Sequence, residues 1–301
     1  MITNFDQMFE QLRSKPKKRL VAAWGVDDHT ISAVYMAVEA GIVEGILVGD
    51  EAMIQKVCTE NNYDIAKLTV VNNPNELKSI AQAVDMVNAG EADILMKGLC
   101  STDKYMRGIL NKEKGLLPPK AVLSHVCVVQ HPEYHKLMVI SDIAVIPAPD
   151  LKQKQAMIGY VANTARALGV EKPKVAMITA TEQMLPGMPA CVEAAMLAKM
   201  SDRGQIAGCV VDGPLALDVA LCKEAAEIKK LKSEVAGDAD CCVFPSIEAA
   251  NVFYKFAGHF CPGVKMAAMV AGAKAPCVLS SRADSTEVKL NSIALAALTA
   301  K

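Results

Sequence analysis

The chain has 301 residues, of which 52% are hydrophobic and 22% are charged. This composition excludes a disordered polar chain and leaves room for one large or two medium α/β domains with buried cores. The formal net charge of -1, from 32 basic and 33 acidic residues, provides no basic footprint for nucleic acid or for an acidic membrane surface.

The ten cysteines and the first residues both favour a cytoplasmic protein. Residues 1–7 lack the charged and apolar regions of a signal peptide, and no apolar run is long enough to cross a bilayer. The cysteines are scattered through apolar or helical segments, without a C-x-x-C pair. We therefore expect buried, reduced thiols and no structural zinc site.

Apolar strands alternate with helical segments in the first part of the chain. The expected strands cover residues 20–24, 44–49, 68–71 and 92–96. The expected helices cover residues 30–40, 50–58 and 75–88. Near-continuous apolar strands that alternate with helices are typical of a mostly parallel sheet covered on both faces, so we predict an α/β fold with three-layer domains.

Two breaks predict a division into two domains. The paired prolines Pro118-Pro119 favour an extended connector before a second alternating series, which begins near residue 121 and includes expected strands over residues 137–146 and 206–211. A second break at Cys261-Pro262-Gly263 predicts that the chain then returns to the first domain. The expected domains are residues 1–120 with 265–301, and residues 121–264.

In an open parallel sheet, ligands bind beyond the carboxyl ends of the strands, so the loop that follows each strand is the place to look for polar residues. The loop after Met96 is basic and rich in hydroxyls, with Lys97, Ser101, Thr102 and Arg107. A glycine and a helix start in this loop suit an anion. Alternatively, Ser101 is only a helix cap and Arg107 belongs to a solvated helix face.

Three further loops carry polar residues after apolar strands. Asp142 interrupts an apolar run, which predicts either a site or a structural hydrogen bond to a neighbouring loop. Asp212 either positions a ligand or forms an Asp-Gly turn. Asn251 and Lys255 lie four residues apart on one predicted helix face, as a pair that suits phosphate or carbonyl oxygens or as a surface pair.

The fifth loop, near the C-terminus, is predicted to be a strand, a polar elbow and a helix start. Asp284 and Glu287 have the spacing of a capping box. Ser281 and Arg282 precede them, and a capped turn has no local use for the Arg282 guanidinium. Hydroxyls, a guanidinium and helix N–H groups at one sheet edge would suit an anion.

Other kinds of chemistry lack support in this sequence. His125, His131 and His135 do not match a zinc-ligand spacing. There is no Walker motif, no G-x-G-x-x-G and no nucleophile elbow with an assignable histidine. The remaining pattern suits a reaction in which the substrates supply the nucleophile and the protein positions them.

Taken together, the five loops resemble those of the phosphate acetyltransferase and phosphate butyryltransferase family. The resemblance covers nearly the whole chain and is closest to the butyryltransferase branch. The motifs that carry it are Met96-Lys97-Gly98, Ser141-Asp142-Ile143-Ala144-Val145, Asp212-Gly213-Pro214, Phe244-Pro245 with Asn251 and Tyr254-Lys255, and Ser281-Arg282-Ala283-Asp284-Ser285.

The resemblance implies two α/β domains like those of the isocitrate and isopropylmalate dehydrogenases, with an inter-domain cleft and homo-oligomers. It also implies reversible transfer of a short acyl group, butyryl in the first place, between coenzyme A and inorganic phosphate. Coenzyme A is then a substrate, and no bound cofactor or metal is expected. Neither nucleic acid nor membrane is an expected partner.

The implied chemistry assigns roles to particular residues. Arg282 and Ser281 are the first candidates to stabilise the oxyanion and the acyl phosphate. Arg107 matches a family arginine that is taken to bind phosphate, and Thr102 lies one helical turn before it. Lys97, Ser101, Asp142, Asp212, Asn251 and Lys255 complete the expected binding set.

The general base is the weakest part of the match. Acetyltransferase relatives carry an aspartate where this chain has Val288. Asp284 and Glu287 are nearby acids, and deprotonation by the outgoing phosphate or by Asp142 are alternatives. The other functions that remain open are acetyl transfer and a non-catalytic protein that binds acyl-coenzyme A or phosphate.

Overall fold

The structure of the protein is a computed structural model that describes residues 1–280 and 284–301. The described chain forms two compact units. The first unit comprises Phe5–Leu123 and Ala267–Lys301, and the second comprises Met1–Asn4 and Ser124–Met266. Met1–Asn4 join the second unit, where Ile2 N donates a hydrogen bond to Leu168 O at 2.7 Å.

The first unit is an α/β structure with a mostly parallel sheet. Its strands are β1 (Lys18–Ala23), β2 (Val43–Gly49), β3 (Thr69–Asn72), β4 (Ile94–Lys97), β10 (Lys265–Ala271) and β11 (Cys277–Val278). They follow the order β3-β2-β1-β4-β11-β10, in which β10 alone is antiparallel to its described neighbour β11. The prediction of a mostly parallel α/β sheet is confirmed.

The described residues of the first unit form six α-helices and a short 3-10 helix at Ile65–Lys67. The α-helices are α1 (Phe5–Arg13), α2 (Asp28–Glu39), α3 (Glu51–Glu60), α4 (Glu76–Asn88), α5 (Thr102–Ile109) and α11 (Thr286–Thr299). Side chains that accept a hydrogen bond from the first helical turn cap most of them, namely Asp27, Asp50, Asn75, Ser101 and Ser285. Helix α11 packs against both α1 and α2, and α4 packs against α5.

The second unit is also an α/β structure with a mostly parallel sheet, but its strands follow a different order. Its strands are β5 (Ser124–Gln130), β6 (Met138–Ser141), β7 (Lys174–Ile178), β8 (Val210–Leu215) and β9 (Cys241–Val243). They follow the order β5-β6-β9-β7-β8, and only β5 is antiparallel to its neighbour β6. The helices are α6 (Leu151–Ala167), α7 (Pro189–Asp202), α8 (Leu217–Leu221), α9 (Lys223–Ile228) and α10 (Ile247–Phe260).

The strand expected over residues 137–146 is too long. Strand β6 ends at Ser141, because the Asp142 carboxylate accepts hydrogen bonds from the backbone N–H groups of Ala144 and Val145. This local bonding turns the chain away from the sheet. Likewise, the strand expected at 206–211 begins later, at Val210.

An ion-pair network holds the amino ends of three strands in the second unit. Lys136, which precedes β6, contacts Asp240 at 2.6 Å and Asp238 at 2.8 Å. Lys174, at the start of β7, contacts Asp238 at 2.7 Å. Asp238 and Asp240 lie just before β9. The network therefore lies at the amino ends of β6, β7 and β9 and takes no part in the loops at their carboxyl ends.

Candidate functional site

The carboxyl ends of β1, β4 and β11 lie side by side in the first unit. Ala23 is in register with Lys97, and Met96 is in register with Val278. The loops after these parallel strands therefore begin at one sheet edge, where ligands of such sheets bind. We call this edge the first carboxyl edge.

The loops after β1 and β4 approach each other closely at Gly98. Gly98 N donates to Ala23 O at 3.0 Å, and Leu99 N donates to Trp24 O at 2.9 Å. A Cβ atom at position 98 would lie 2.1 Å from Trp24 O, which no side chain can tolerate. The glycine expected to permit close backbone approach does so here toward the neighbouring loop.

Lys97 places a buried ammonium at the end of β4. Its side chain is buried, and Nζ donates to Gly98 O at 3.2 Å. A cation held under the loop gives the first carboxyl edge a positive potential, which suits an anionic substrate.

Helix α5 follows this loop, and Ser101 caps its start, which is the structural alternative predicted for this residue from the sequence. Ser101 is its N-cap and accepts a hydrogen bond from Lys104 N at 3.2 Å. Thr102 is the first helical residue, and Lys104 pairs with Glu76 at 2.5 Å. The hydroxyl of Ser101 therefore has a structural task at the helix start.

Arg107 is the most exposed cationic side chain in the described segment from the loop after β4 to the end of α5. Its guanidinium is 3.0 Å from the Asp103 carboxylate, and its side chain is 78% exposed. Exposed i,i+4 pairs contribute little free energy, so an arriving phosphate can compete with Asp103 for the guanidinium.

The capping box predicted for Asp284 and Glu287 is wrong. Ser285 is the N-cap of α11, and its hydroxyl accepts a hydrogen bond from Val288 N at 3.3 Å. Serine and aspartate are almost equally good caps, so the residue nearer to the helix takes the role. The Asp284 carbonyl accepts a hydrogen bond from the buried Lys289 Nζ at 2.7 Å.

Ser281 and Arg282, the first catalytic candidates, lie outside the described residues. The chain leads to them from β11 through Leu279 and Ser280. Their assignment remains a prediction from the sequence.

In the second unit, the Asp142 carboxylate is buried and fully engaged by backbone donors. Oδ2 accepts from His125 N at 3.0 Å, and Oδ1 accepts from Ala144 N at 2.8 Å and Val145 N at 2.7 Å. Three backbone N–H groups thus occupy the two carboxylate oxygens, which ties the loop after β6 to β5. This geometry corresponds to the structural alternative for Asp142.

Asn251 comes to the same loop as Asp142. Its Nδ2 donates to Ile143 O at 2.9 Å, which joins α10 to the loop after β6. Lys255, one turn later, places Nζ 5.0 Å from the centre of the Tyr254 ring. Asp212 lies inside β8, which continues to Leu215, so the alternative of an Asp-Gly turn is wrong; its Oδ1 accepts a hydrogen bond from Gly213 N at 2.8 Å.

Two polar residues at strand ends were missed in the sequence. Asp27 follows β1 and caps α2 with Oδ1, and within residues 1–280 and 284–301 no donor reaches its buried Oδ2. Glu182 follows β7 and accepts from Ala216 N at 3.3 Å and from Lys229 Nζ at 3.0 Å. An acid shortly after a strand was the available signal in both places.

The thiols near the first carboxyl edge are protonated at neutral pH. Burial raises the pKa of Cys100, although the Lys97 charge opposes this, and burial raises the pKa of Cys277 to about 12. Such thiols are inert as nucleophiles. Among the described residues, no group of histidines, cysteines and acids is arranged to hold a metal ion.

The cations and hydroxyls at the first carboxyl edge of a mostly parallel α/β sheet suit an enzyme that acts on anionic substrates. Comparison with known proteins identifies the class of enzyme as the phosphate acyltransferases. The chain matches the family described as "Phosphate acetyl/butaryl transferase" over residues 4–85 and 74–297. The chain belongs to this phosphate acetyl/butyryl transferase family. The resemblance seen in the sequence is confirmed.

Curated relatives carry both family names. The chain is 44% identical to the phosphate butyryltransferase of Clostridium acetobutylicum over 300 residues, covering 100% of this chain and 99% of the relative. It is 42% identical to the phosphate acetyltransferase of Thermotoga maritima over 293 residues, covering 97% and 98%.

Solved structures agree with the fold. A branched-chain phosphotransacylase from Enterococcus faecalis superimposes with a TM-score of 0.83 at 29% identity, covering 94% of this chain and 98% of the other. The 4-hydroxythreonine-4-phosphate dehydrogenase of Klebsiella pneumoniae matches with a TM-score of 0.56 at 13% identity, covering 95% and 100%. The expected dehydrogenase-like α/β fold is therefore confirmed.

No helix within the described ranges is both long enough and apolar enough to span a membrane.

Proposed function

We propose that the protein is a phosphate butyryltransferase, which converts butyryl-coenzyme A and inorganic phosphate reversibly into butyryl phosphate and coenzyme A. The full-length 44% identity to a phosphate butyryltransferase carries this proposal. Coenzyme A takes part as a substrate rather than as a resident cofactor.

The reaction needs an oxyanion and a phosphate to be stabilised together. A phosphate oxygen bonds to the thioester carbonyl carbon, the carbonyl oxygen becomes an oxyanion, and the C–S bond then breaks with its electron pair on sulfur. As the C–S bond breaks, the oxyanion returns to a carbonyl, and the thiolate takes the proton that the attacking hydrogen phosphate gives up. Arg282 and Ser281 stabilise the oxyanion, because preorganised donors act most strongly where charge develops.

The phosphate is bound by the cationic residues of the first carboxyl edge. Arg107 is exposed and weakly paired, Lys97 supplies a buried positive charge, and Thr102 lies at the helix start. Asp212, Asn251, Lys255, Ser101, Asp284 and Glu287 retain only the sequence support described above.

The reaction proceeds without a protein base of the kind expected from acetyltransferase relatives. Val288 replaces the aspartate of those relatives, and backbone N–H bonds engage the carboxylate of Asp142. In the direction of butyryl-coenzyme A synthesis, the outgoing phosphate oxygen accepts the proton of the coenzyme A thiol.

The decisive assay is release of free thiol from acyl-coenzyme A in the presence of phosphate. We expect kcat/KM for butyryl-coenzyme A to exceed that for acetyl-coenzyme A by about 10-fold or more, since each buried methylene contributes about tenfold discrimination or more. A preference for acetyl-coenzyme A would favour acetyl transfer, for which the 42% identity to a phosphate acetyltransferase is the support. Binding of acyl-coenzyme A without turnover would indicate a non-catalytic protein.

The same assay tests the catalytic assignment through Arg282→Ala. We expect kcat/KM to fall by about 100- to 1,000-fold, as for removal of one oxyanion donor, with an unchanged thermal unfolding temperature. Arg203→Ala, at an exposed arginine after α7, is the matched control and retains full activity. Kinetics of Arg282→Ala equal to those of Arg203→Ala would remove Arg282 from the mechanism.

The finer assignments of location and assembly belong to the same proposal. We propose a cytoplasmic enzyme, which the ten free cysteines support because reducing compartments keep thiols unpaired. We also propose a homo-oligomer, which the exposed apolar stripe of Val252, Phe256 and Phe260 on α10 supports.

A further inference from the structure

Tyr105 is the largest side chain that is fully buried in the protein among the described residues. It lies in α5, and its hydroxyl is 3.2 Å from Leu95 O and 3.2 Å from Val278 O. Leu95 belongs to β4, and Val278 is the last residue of β11. One hydroxyl group thus connects a helix to two neighbouring parallel strands.

The phenol remains a hydrogen-bond donor throughout the physiological pH range. Burial raises the pKa of Tyr105 well above its ordinary value, with the Cys277 and Cys100 thiols acting in the same direction. A buried hydroxyl that is not satisfied would be costly, and the two carbonyl oxygens are its partners. Because the phenol has a single proton, it holds both carbonyls through one shared donor.

The three connected elements lead to residues of the proposed phosphate site. Helix α5 begins with Thr102 and carries Arg107, two residues after Tyr105, on its exposed side. Strand β4 ends at Lys97, and β11 leads within four residues to Arg282. The buried side of α5 is therefore attached to β4, which ends at Lys97, and to β11, after which the sequence continues toward Arg282.

We propose that Tyr105 is a positioning residue, which sets α5 relative to the ends of β4 and β11 and thereby sets the affinity for phosphate. The proposal rests on the proposed roles of Arg107 and Arg282 in binding phosphate and stabilising the transition state. Tyr105 itself does not touch the substrate. It acts by fixing the backbone from which the cationic side chains extend, since displacements of about 1 Å can cost up to about 100-fold in rate.

The test compares two tyrosines whose hydroxyl groups both donate to backbone carbonyl oxygens. Tyr105→Phe keeps the ring and removes the hydroxyl. Tyr134→Phe does the same in the second unit, where the Tyr134 hydroxyl donates to Ala239 O at 2.6 Å, just before β9. Both variants lose a hydrogen bond from a tyrosine hydroxyl to the backbone, which is buried at Tyr105 and partly buried at Tyr134, so both are expected to unfold at a lower temperature.

Only Tyr105→Phe should change the kinetics for phosphate. We expect its KM for phosphate to rise about 5- to 10-fold, while its KM for butyryl-coenzyme A changes less than about twofold. Phosphate should also protect it less against thermal unfolding, a measurement that does not require turnover. Tyr134→Phe should retain both KM values and the protection by phosphate.

Arg107→Ala separates failure of this inference from failure of the proposed phosphate site. If Arg107→Ala raises KM for phosphate while Tyr105→Phe behaves like Tyr134→Phe, the positioning role of Tyr105 is overturned and the site stands. If neither Arg107→Ala nor Arg282→Ala changes phosphate binding or turnover, the site is wrong and the role of Tyr105 falls with it. A fall in stability alone, equal in the two phenylalanine variants, also overturns the proposal.

Discussion

The polar side chains of the loops and helices that follow the strands differ in how many hydrogen bonds they make within the protein. Asp142 accepts three backbone N–H bonds, whereas Arg107 makes one exposed ion pair with Asp103. The first side chain shapes a loop, and the second remains available to a ligand.

Asp142→Asn tests the structural role of this carboxylate. Asparagine has one acceptor oxygen, so its amide NH2 would face either His125 N–H or the N–H groups of Ala144 and Val145. We expect the free energy of unfolding to fall by about 2 to 3 kcal/mol, measured by chemical denaturation.

Kinetics decide between the two roles of Asp142. A structural carboxylate leaves kcat within a few-fold of the wild-type value in the folded variant. A loss of kcat of about 100-fold or more at unchanged stability would instead identify Asp142 as a base, because general bases contribute on that scale. Asp202→Asn, on an exposed pair with Lys199, serves as the control for both measurements.

The sequence could identify unusual residues better than their partners. An acid within an apolar run predicted that Asp142 needs partners, and the structure supplies them from its own loop and from β5. The pairing of β5 with β6 is a tertiary event that no local pattern specifies. At the start of α11, two adjacent residues were both good caps, and local spacing alone selected the wrong one.

Among elements, the second unit shows what aligns the starts of parallel strands. Asp238 lies before β9 and forms ion pairs with Lys136, just before β6, and with Lys174, at the start of β7. Partial burial by itself would raise the pKa of Asp238, but the hydrogen bonds from Lys136 and Lys174 prevail and lower it to about 2. The charged carboxylate is therefore the form that the folded state prefers.

The network should make stability depend on acid pH. Since the pKa of Asp238 is lowered from 3.8 to about 2 in the folded state, its contribution is complete above pH 3.8 and is lost as the pH falls toward 2. With a side chain that is 42% exposed, solvent screening limits this contribution to about 1 kcal/mol.

Chemical denaturation of wild type and Asp238→Asn at several pH values measures this contribution. We expect the variant to be less stable at pH 6, with the difference shrinking between pH 4 and pH 2.5. A difference that stays constant over this range would contradict the linkage to Asp238. Asp202→Asn again provides an exposed acid for comparison.

Element types were predictable, and their ends were less so. The apolar runs of β1 and β4 are buried strands as expected, because continuous hydrophobic runs suit a sheet covered on both faces. The end of β6 depends on side-chain bonds of Asp142, and the cap of α11 depends on a choice between neighbours. Both are decided by hydrogen bonds rather than by hydrophobic periodicity.

At the scale of the whole molecule, the largest exposed apolar feature of a single described helix lies on α10. Val252, Phe256 and Phe260 recur every four residues and are 69%, 59% and 75% exposed. Three large apolar side chains in one stripe are unusual for a free surface and are typical of an interface.

Phe256→Glu tests the proposed homo-oligomer. We expect wild-type protein to have at least the mass of a dimer in light scattering after size exclusion, and Phe256→Glu to shift toward the monomer, because the interface would bury an unpaired charge. Leu77→Glu, at a residue in α4 that is 60% exposed, should leave the mass unchanged. A monomeric wild-type protein at micromolar concentration would contradict the proposal, as would equal effects of the two substitutions.

The family could be recognised from five short motifs because their order and spacing span nearly the whole chain. The acyl group could not, since one relative is a butyryltransferase and another, almost equally similar, is an acetyltransferase. Two additional methylenes change the shape of a pocket by a few side chains, and no motif reports this difference.

The charged network at the amino ends of β6, β7 and β9 has a consequence for how this unit can change. The residues that secure the strands lie at the end of the sheet opposite the loops after Ser141, Ile178 and Val243. Those loops can therefore be exchanged or lengthened without removing the charges that align the strands. In any exchange of these loops, Lys136, Lys174, Asp238 and Asp240 should be held constant, because the stability that they supply offsets the loss expected from destabilising substitutions.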